Sequence, residues 1–185
     1  VSQCPVCNAH KNSNPREPMI SHPIPGRPWS KIGTDLFHFD GSNYLLSVDY
    51  YSKFTEISKL SDTTAQSVIM AMKSMFARYG IPDTVVSDNG PQYASTEFSS
   101  FAKAWEFEHV TSSPGHAQSN GQAERAVQTI KNLLKKAQCG KNDPYISLLE
   151  YRNTPLDGIG YSPAQLLMGR RLKSKIPTSV TLLTP

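Results

Sequence analysis

Hydrophobic and polar positions along the chain follow two periods. In KIGTDLFHFDG (31–41) and NYLLSVDYYSKFTEISKL (43–60) the apolar residues are β-branched and aromatic and come in short runs. This pattern predicts strands, with Gly41-Ser42-Asn43 as a tight hairpin turn and a second bend near Ser52-Lys53, hence a three-strand meander. From 62 to 80 the period becomes helical: Val68, Ile69, Met72, Met75, Phe76 and Tyr79 share a face, Asp62 or Thr63 caps the start, and Gly80 with Pro82 ends it. A short β-branched run, Thr84-Val85-Val86, predicts a fourth strand. A helix over 95–107, opened by Ser95 or Thr96, and a strand over 107–113 follow. SPGHAQSNGQ (113–122) has the composition of a mobile loop. A strong helix is predicted over 123–138, burying Ala126, Val127, Ile130, Leu133, Leu134 and Ala137. Shorter helices are expected over 143–155, with Pro144 in the first turn, and over 162–169, with Ser162 as N-cap and Gly169 beyond the end. Three strands, helix, strand, helix, strand and then helices is the order of an α/β domain in which a meander joins parallel crossovers.

Residues 1–30 carry six of the 14 prolines, a density that resists helix and sheet and favours an extended connector. The folded domain is therefore expected to begin near Trp29. With 185 residues, 38% of them hydrophobic and 18% charged, the chain suits one medium domain of the soluble globular type. Its apolar runs are too short to cross a bilayer, and VSQCPVCNAH has neither the basic nor the apolar region of a signal peptide. The absence of an initiator Met leads us to expect a piece of a longer protein. Residues 1–109 hold 9 Lys and Arg against 11 Asp and Glu, whereas residues 110–185 hold 10 against 4. A basic second half suits an anionic partner, although solubilising charges on exposed helices would look the same. Three cysteines, Cys4, Cys7 and Cys139, imply no disulfide framework and favour an intracellular, reducing location.

Three acids stand out. Asp35 shares a strand face with Gly33, Phe37 and Phe39, where a carboxylate is costly unless it is paired, hydrogen-bonded to backbone or bound to a cation. Asp88 follows the fourth strand at the edge where open α/β sheets place ligands, and Asn89-Gly90-Pro91 turns the chain away; an Asx-turn would also account for it. Glu124 lies in the first turn of the strong helix, where it equally suits the helix dipole. If strands one and four are neighbours, the three can meet across one cleft. Converging carboxylates without a basic partner form a hard-cation site suited to Mg²⁺ or Mn²⁺. Two such ions about 3.5–4 Å apart would serve phosphoryl transfer. Glu124, Gln128, Lys131 and Lys135 share one helix face that could lie along a phosphate backbone or be an ordinary solvated stripe. GRRLKSK (169–175) adds Arg170, Arg171, Lys173 and Lys175 as nonspecific phosphate contacts.

IGTDLF, VVSDNGPQY and SPGHAQSNGQAERAVQTIK resemble the catalytic core of the integrases of retroviruses and gypsy-type LTR retrotransposons. The D, D-35, E pattern is met, with residues 89–123 between Asp88 and Glu124. VDYYSKF, RYGIP, YRNTP and SPAQLLMGR are similar to the gypsy-type pattern, and the likeness runs from about Ile24 to Pro177. The resemblance implies a ribonuclease H-like α/β fold, a five-stranded mixed sheet flanked by helices. It implies divalent-metal-dependent endonuclease and DNA strand-transfer activity, with Asp35, Asp88 and Glu124 as catalytic metal ligands for two Mg²⁺ or Mn²⁺ ions. It places Gln118 and Asn120 in the loop at the active site and Lys131 at a contact with DNA ends. It further implies retroelement and target DNA as partners, dimers or tetramers, no membrane, and work in the nucleus. By the same resemblance, residues 1–22 are the remnant of an N-terminal zinc module with a proline-rich linker. Residues 23–180 are then the core, and 181–185 open a linker toward a C-terminal module. Cys4 and Cys7 look like half of the zinc module; two ligands fall short of the four that structural zinc takes, so zinc is not expected here. Two rivals stand beside the polynucleotidyl transferase: a domesticated, non-catalytic nucleic-acid-binding module, and a simple nuclease of the same fold. Metal-dependent nicking separates the first rival, and strand-transfer products the second.

Overall fold

The computed structural model describes residues 25–112 and 121–185. Five strands, β1 (Lys31–Phe39), β2 (Ser42–Asp49), β3 (Thr55–Leu60), β4 (Thr84–Ser87) and β5 (Glu108–Thr111), form one sheet in the order β3-β2-β1-β4-β5. The first three pair antiparallel as a meander; β4 and β5 add in parallel on the other side of β1. Helix α1 (Ala65–Tyr79) links β3 to β4, and α2 (Thr96–Ala104) links β4 to β5. Helices α3 (Gly121–Cys139), α4 (Pro144–Asn153) and α5 (Pro163–Met168) follow.

Strand alternation divides the core in two. Ile32, Leu45 and Val85 point to one face and pack on Val68, Met72, Met75 and Phe76 of α1 and Phe98 and Phe101 of α2. Phe37, Leu46 and Val48 point to the other and pack on Ala123, Ala126, Val127, Ile130 and Leu134 of α3 and Leu148 of α4. Neighbouring residues such as Leu45 and Leu46 serve opposite layers, as a period of two requires. The result is a sheet between two helical layers. Among the described residues no helix is long and apolar enough to cross a membrane.

Element boundaries differ from expectation in four places. The hairpin turn is at Asp40-Gly41, both with positive φ (47° and 68°), and Ser42 and Asn43 belong to β2; two left-handed residues give the turn whose twist matches the strands. Helix α1 starts three residues late because Thr64 is the N-cap, with Asp62 accepting from the Thr64 N–H at 2.9 Å and the Ser67 hydroxyl at 2.6 Å to brace it. Helix α2 stops at Ala104 because Glu106 takes φ 56°. Helix α3 opens two residues early, at Gly121, and Leu133 on it is only partly buried. Trp29 is buried and donates from Nε1 to the Gly80 carbonyl at 3.0 Å, which ties the start of the domain to the end of α1.

A buried charge group on β3 has no counterpart in the sequence reading. Glu56, 8% exposed, accepts from Arg78 of α1 at 2.9 Å and from Arg152 of α4. Arg152 also donates from Nε and Nη2 to the Thr55 carbonyl, at 3.0 and 2.9 Å, and lies 4.6 Å over the Phe54 ring. One carboxylate thereby joins the sheet to helices on both sides.

Candidate active site

The first two acids are brought together by strand register. The parallel ladder between β1 and β4 pairs Ile32 with Val85 and Gly33 with Val86. Continued by two residues, it sets Asp88 level with Asp35. β4 ends at Ser87, and the chain then turns through Asn89-Gly90, so on the β4 side the ladder stops before it reaches Asp35, which pairs with Leu46 of β2 on its other side. Asp88 is exposed and accepts the Gly90 N–H at 3.1 Å, which is the Asx-turn foreseen as an alternative. A Cβ on Gly90 would stand 2.4 Å from Nε2 of Gln92 and 3.1 Å from Oδ1 of Asp88, so any side chain there would crowd the carboxylate.

The third acid arrives by helix packing. A Cβ added to Gly33 would lie 3.3 Å from the Ala123 Cβ and 3.1 Å from Cε2 of Tyr50, so α3 seats its first turn directly on bare β1 backbone. Ala123 is fully buried there, and Glu124, the next residue, is turned outward. Its charge, with those of Asp88 and Lys131, is felt at the Asp35 carboxyl.

Asp35 itself is half-buried, and its Oδ1 accepts the Leu36 N–H at 2.7 Å. Burial first, then the charges of Asp88 and Glu124, push its carboxyl up to about 6 against the lowering effects of that N–H and of Lys131. A half-buried carboxyl that also feels two other carboxylates gains from a bound cation, so the donor set fits a hard divalent ion. Among the described residues, no three His, Cys, Asp or Glu side chains already close on one point; Asp88 and Glu124 are both exposed. The same shift has a consequence for stability. The folded protein holds the Asp35 proton more tightly than the unfolded chain, whose carboxyl titrates near 3.8. Its contribution is therefore greatest below that value and is lost as pH rises through about 6. Without metal, Asp35→Asn is expected to stabilise the fold at pH 7.5 by about 1–2 kcal/mol, discounted for the side chain's contact with solvent, and to have little effect near pH 4. Urea unfolding at the two pH values checks it.

Of the other expected contacts, Lys131 lies over the Phe37 ring at 5.8 Å, on the side of Asp35. Gln128 and Lys135 are exposed on the same face of α3, Gln128 donating to Asn132 at 3.1 Å. Arg170 and Arg171 are half-buried against the C-terminal segment, where the Arg171 N–H meets the Leu182 carbonyl at 2.7 Å, whereas Lys173 and Lys175 are exposed. Gln118, Asn120, Cys4 and Cys7 lie outside the described residues. A groove of about 770 Å³ between α3 and α4, lined by Leu133, Lys136, Glu150 and Tyr151 among others, includes none of the three acids.

Two features near the acids escaped sequence reasoning. Tyr93 is fully buried, shares a 3.1 Å hydrogen bond with Thr34 Oγ1 beside Asp35, and has its phenol pushed far up by burial, so it stays neutral beneath the acids. Lys53 and Gln122 link the β2–β3 turn to the first turn of α3 through a 2.9 Å hydrogen bond. Neither has a local pattern that marks it, since each acts through a partner 59 or 69 positions away.

Comparison with known proteins agrees with this geometry. The sequence model of the integrase core domain matches residues 25–117. The chain belongs to the integrase core domain family. It is 32% identical over its whole length to an uncharacterized protein, K02A2.6, of Caenorhabditis elegans, covering 15% of that protein. It is 31% identical to the Gag-Pol polyprotein of walleye dermal sarcoma virus, with 94% of this chain and 10% of the polyprotein aligned. The chain thus spans only about a tenth to a seventh of these relatives. Among solved structures, the HTLV-2 integrase catalytic core, determined with magnesium in a dimeric form, superposes with a TM-score of 0.64 at 22% identity over 77% of this chain and 97% of that one. The integrase core is therefore ribonuclease H-like in fold, as its motifs implied.

Proposed function

We propose that this integrase core is a polynucleotidyl transferase that cuts retroelement DNA near its ends and joins them to target DNA. The observation that supports the reading is the parallel β1–β4 register, which if carried two residues further would bring Asp88 level with Asp35, together with the charges of Asp88 and Glu124 felt at the Asp35 carboxyl. Two Mg²⁺ or Mn²⁺ ions held by these acids would activate the attacking oxygen and stabilise the leaving one. The chain's own part is positioning. Asp35 is held by β1 and the Leu36 N–H, Asp88 by its turn, and Glu124 by the seat of α3 on Gly33. In the first step water attacks phosphorus and the 3′ oxygen leaves, taking a proton. In the second, that 3′-hydroxyl attacks a target phosphodiester in line, loses its proton and displaces the target's 3′ oxygen. No covalent link to the enzyme forms, so placement and electrostatics supply the rate.

Gln128, Lys131 and Lys135 on α3, with Gln118 and Asn120 before it, would run along the DNA, and the basic second half of the chain supports this. Lys173 and Lys175 would add nonspecific phosphate contacts. A homo-oligomer and a nuclear site of action follow from the same reading, as does a core over residues 23–180 flanked by an N-terminal zinc-module remnant and a C-terminal linker. The test is nicking of an end-labelled duplex with Mg²⁺ or Mn²⁺, by the wild type and Asp88→Asn. Metal-dependent nicking lost in the variant is expected. Undiminished nicking by Asp88→Asn overturns the assignment. Salt-sensitive duplex binding by a wild type that never nicks points to the non-catalytic module instead.

A further inference from the structure

The seat of α3 on Gly33 holds the helix against the sheet, but side chains hold its first turn in place along it. The amide of Gln122 is used at both ends: Nε2 donates to the Asp49 carbonyl at 3.0 Å, and Oε1 accepts from Nζ of Lys53 at 2.9 Å. Lys53 donates a second time, to the Tyr50 carbonyl at 2.7 Å. The turn that supplies these carbonyls is itself braced. The Asp49 carboxylate is fully buried and accepts from the Ser52 hydroxyl at 2.5 Å and from the N–H groups of Ser52 and Tyr51 at 3.0 and 3.2 Å. The Tyr50 N–H reaches the Lys31 carbonyl at 2.9 Å, which joins the turn to the start of β1. Lys53 has φ 61°, a conformation that aims its stem back over the turn. A half-buried amide and ammonium that satisfy each other and two backbone carbonyls thus connect a rigid corner of the sheet to the residue two places before Glu124.

We propose that Lys53 and Gln122 are positioning residues: together they set where the first turn of α3 stands on the β2–β3 turn, and hence where Glu124 stands relative to Asp35. The proposal rests on the reading of Glu124 as a metal ligand. Neither residue touches DNA or metal in this scheme; each acts through the helix start. Groups that orient metal ligands commonly change metal affinity by about 10- to 100-fold when removed.

The experiment measures Mn²⁺ binding by water-proton relaxation, and Mn²⁺-dependent nicking, on the 185-residue chain with Gln122→Met, Lys53→Met, Lys53→Arg, both Met changes together, and Glu124→Gln. Each Met variant is expected to weaken Mn²⁺ binding about 10-fold and to raise the half-saturating Mn²⁺ concentration for nicking in step, with a smaller loss at saturating Mn²⁺. The double variant is expected to be no worse than Gln122→Met, which already removes both bonds from α3 to the turn. Lys53→Arg, which keeps a donor, is expected to restore affinity. Wild-type Mn²⁺ affinity in the two Met variants, or losses that multiply in the double variant, overturns the proposal. A fall in unfolding free energy with metal affinity unchanged reduces the link to ordinary structure and overturns it equally. Wild-type Mn²⁺ affinity in Glu124→Gln overturns the metal-ligand reading itself, a result read independently of the Met variants.

Discussion

Glu124→Gln is expected to lose metal-dependent nicking by on the order of 100-fold or more while its unfolding curve overlays that of the wild type. Both halves follow from where the residue sits. Glu124 is exposed at the start of α3, next to Ala123, which carries the burial, so replacing a carboxylate by an isosteric amide removes no packing. The small loss to the helix dipole, about 0.3–1 kcal/mol, is opposed by relief of the repulsion that Glu124 exerts on the Asp35 carboxyl. Chemically the change is severe. An amide is neutral, and under the proposed reading a hard cation would lose one of three anionic donors; even groups that only orient ligands are worth about 10- to 100-fold in affinity or activity. The charge Glu124 places at Asp35 also disappears, so the Asp35 carboxyl is expected to titrate lower in the variant. Nicking rates across a Mn²⁺ series, beside urea unfolding, check the pair of outcomes. Wild-type nicking, or a large loss of stability, would contradict the placement of Glu124.

Glu56→Ala should have the opposite signature: a large loss of folding free energy with no direct effect on the acids. The carboxylate is 8% exposed and serves Arg78 and Arg152. Removing it leaves the Arg152 guanidinium, whose side chain is only 17% exposed, with the Thr55 carbonyl and the Phe54 ring but no anion. Breaking a buried pair from one side typically costs about 3–5 kcal/mol, a large share of the roughly 5–15 kcal/mol that holds a domain together. Arg78 adds less, being nearly half exposed. The decisive comparison is the double replacement, Glu56→Leu with Arg152→Leu. It is expected to be more stable than either single change, because the cost lies in the orphaned charge and not in the absence of the pair. Denaturant unfolding of the four proteins closes the cycle.

Much of this arrangement was readable from residues alone, and the reason differs from element to element. Helix α1 was placed by its apolar spacing, and five of the six residues expected on its inner face are buried. Its start was misplaced by three residues, since Asp62, Thr63 and Thr64 are all competent caps and only the hydrogen-bond partners choose among them. The neighbourhood of β1 and β4 was a condition of the reading, and the structure pairs them in parallel. Asp35 was singled out as an acid inside a strand on an apolar face, and Asp88 and Glu124 as acids at the end of a strand and the start of a helix. The link from Lys53 to Gln122 and the pairing of Glu56 with Arg152 left no such mark. They span 69 and 96 positions, and a lysine after a bend or an arginine in a helix reads as a surface charge until its partner is known.

Period and composition by themselves determined most of the strand and helix content and the apolar faces of α1 and α3, because those depend on neighbours a few residues apart. Only the tertiary structure decided that β4 lies parallel to β1 in the register that leads toward Asp35, that bare backbone at Gly33 lets α3 close down on the sheet, and that burial and nearby charges push the Asp35 carboxyl up to about 6. These depend on register, contact and exclusion of water between segments far apart in the chain, where an ångström of separation changes both the field on a carboxyl and the room left for a cation.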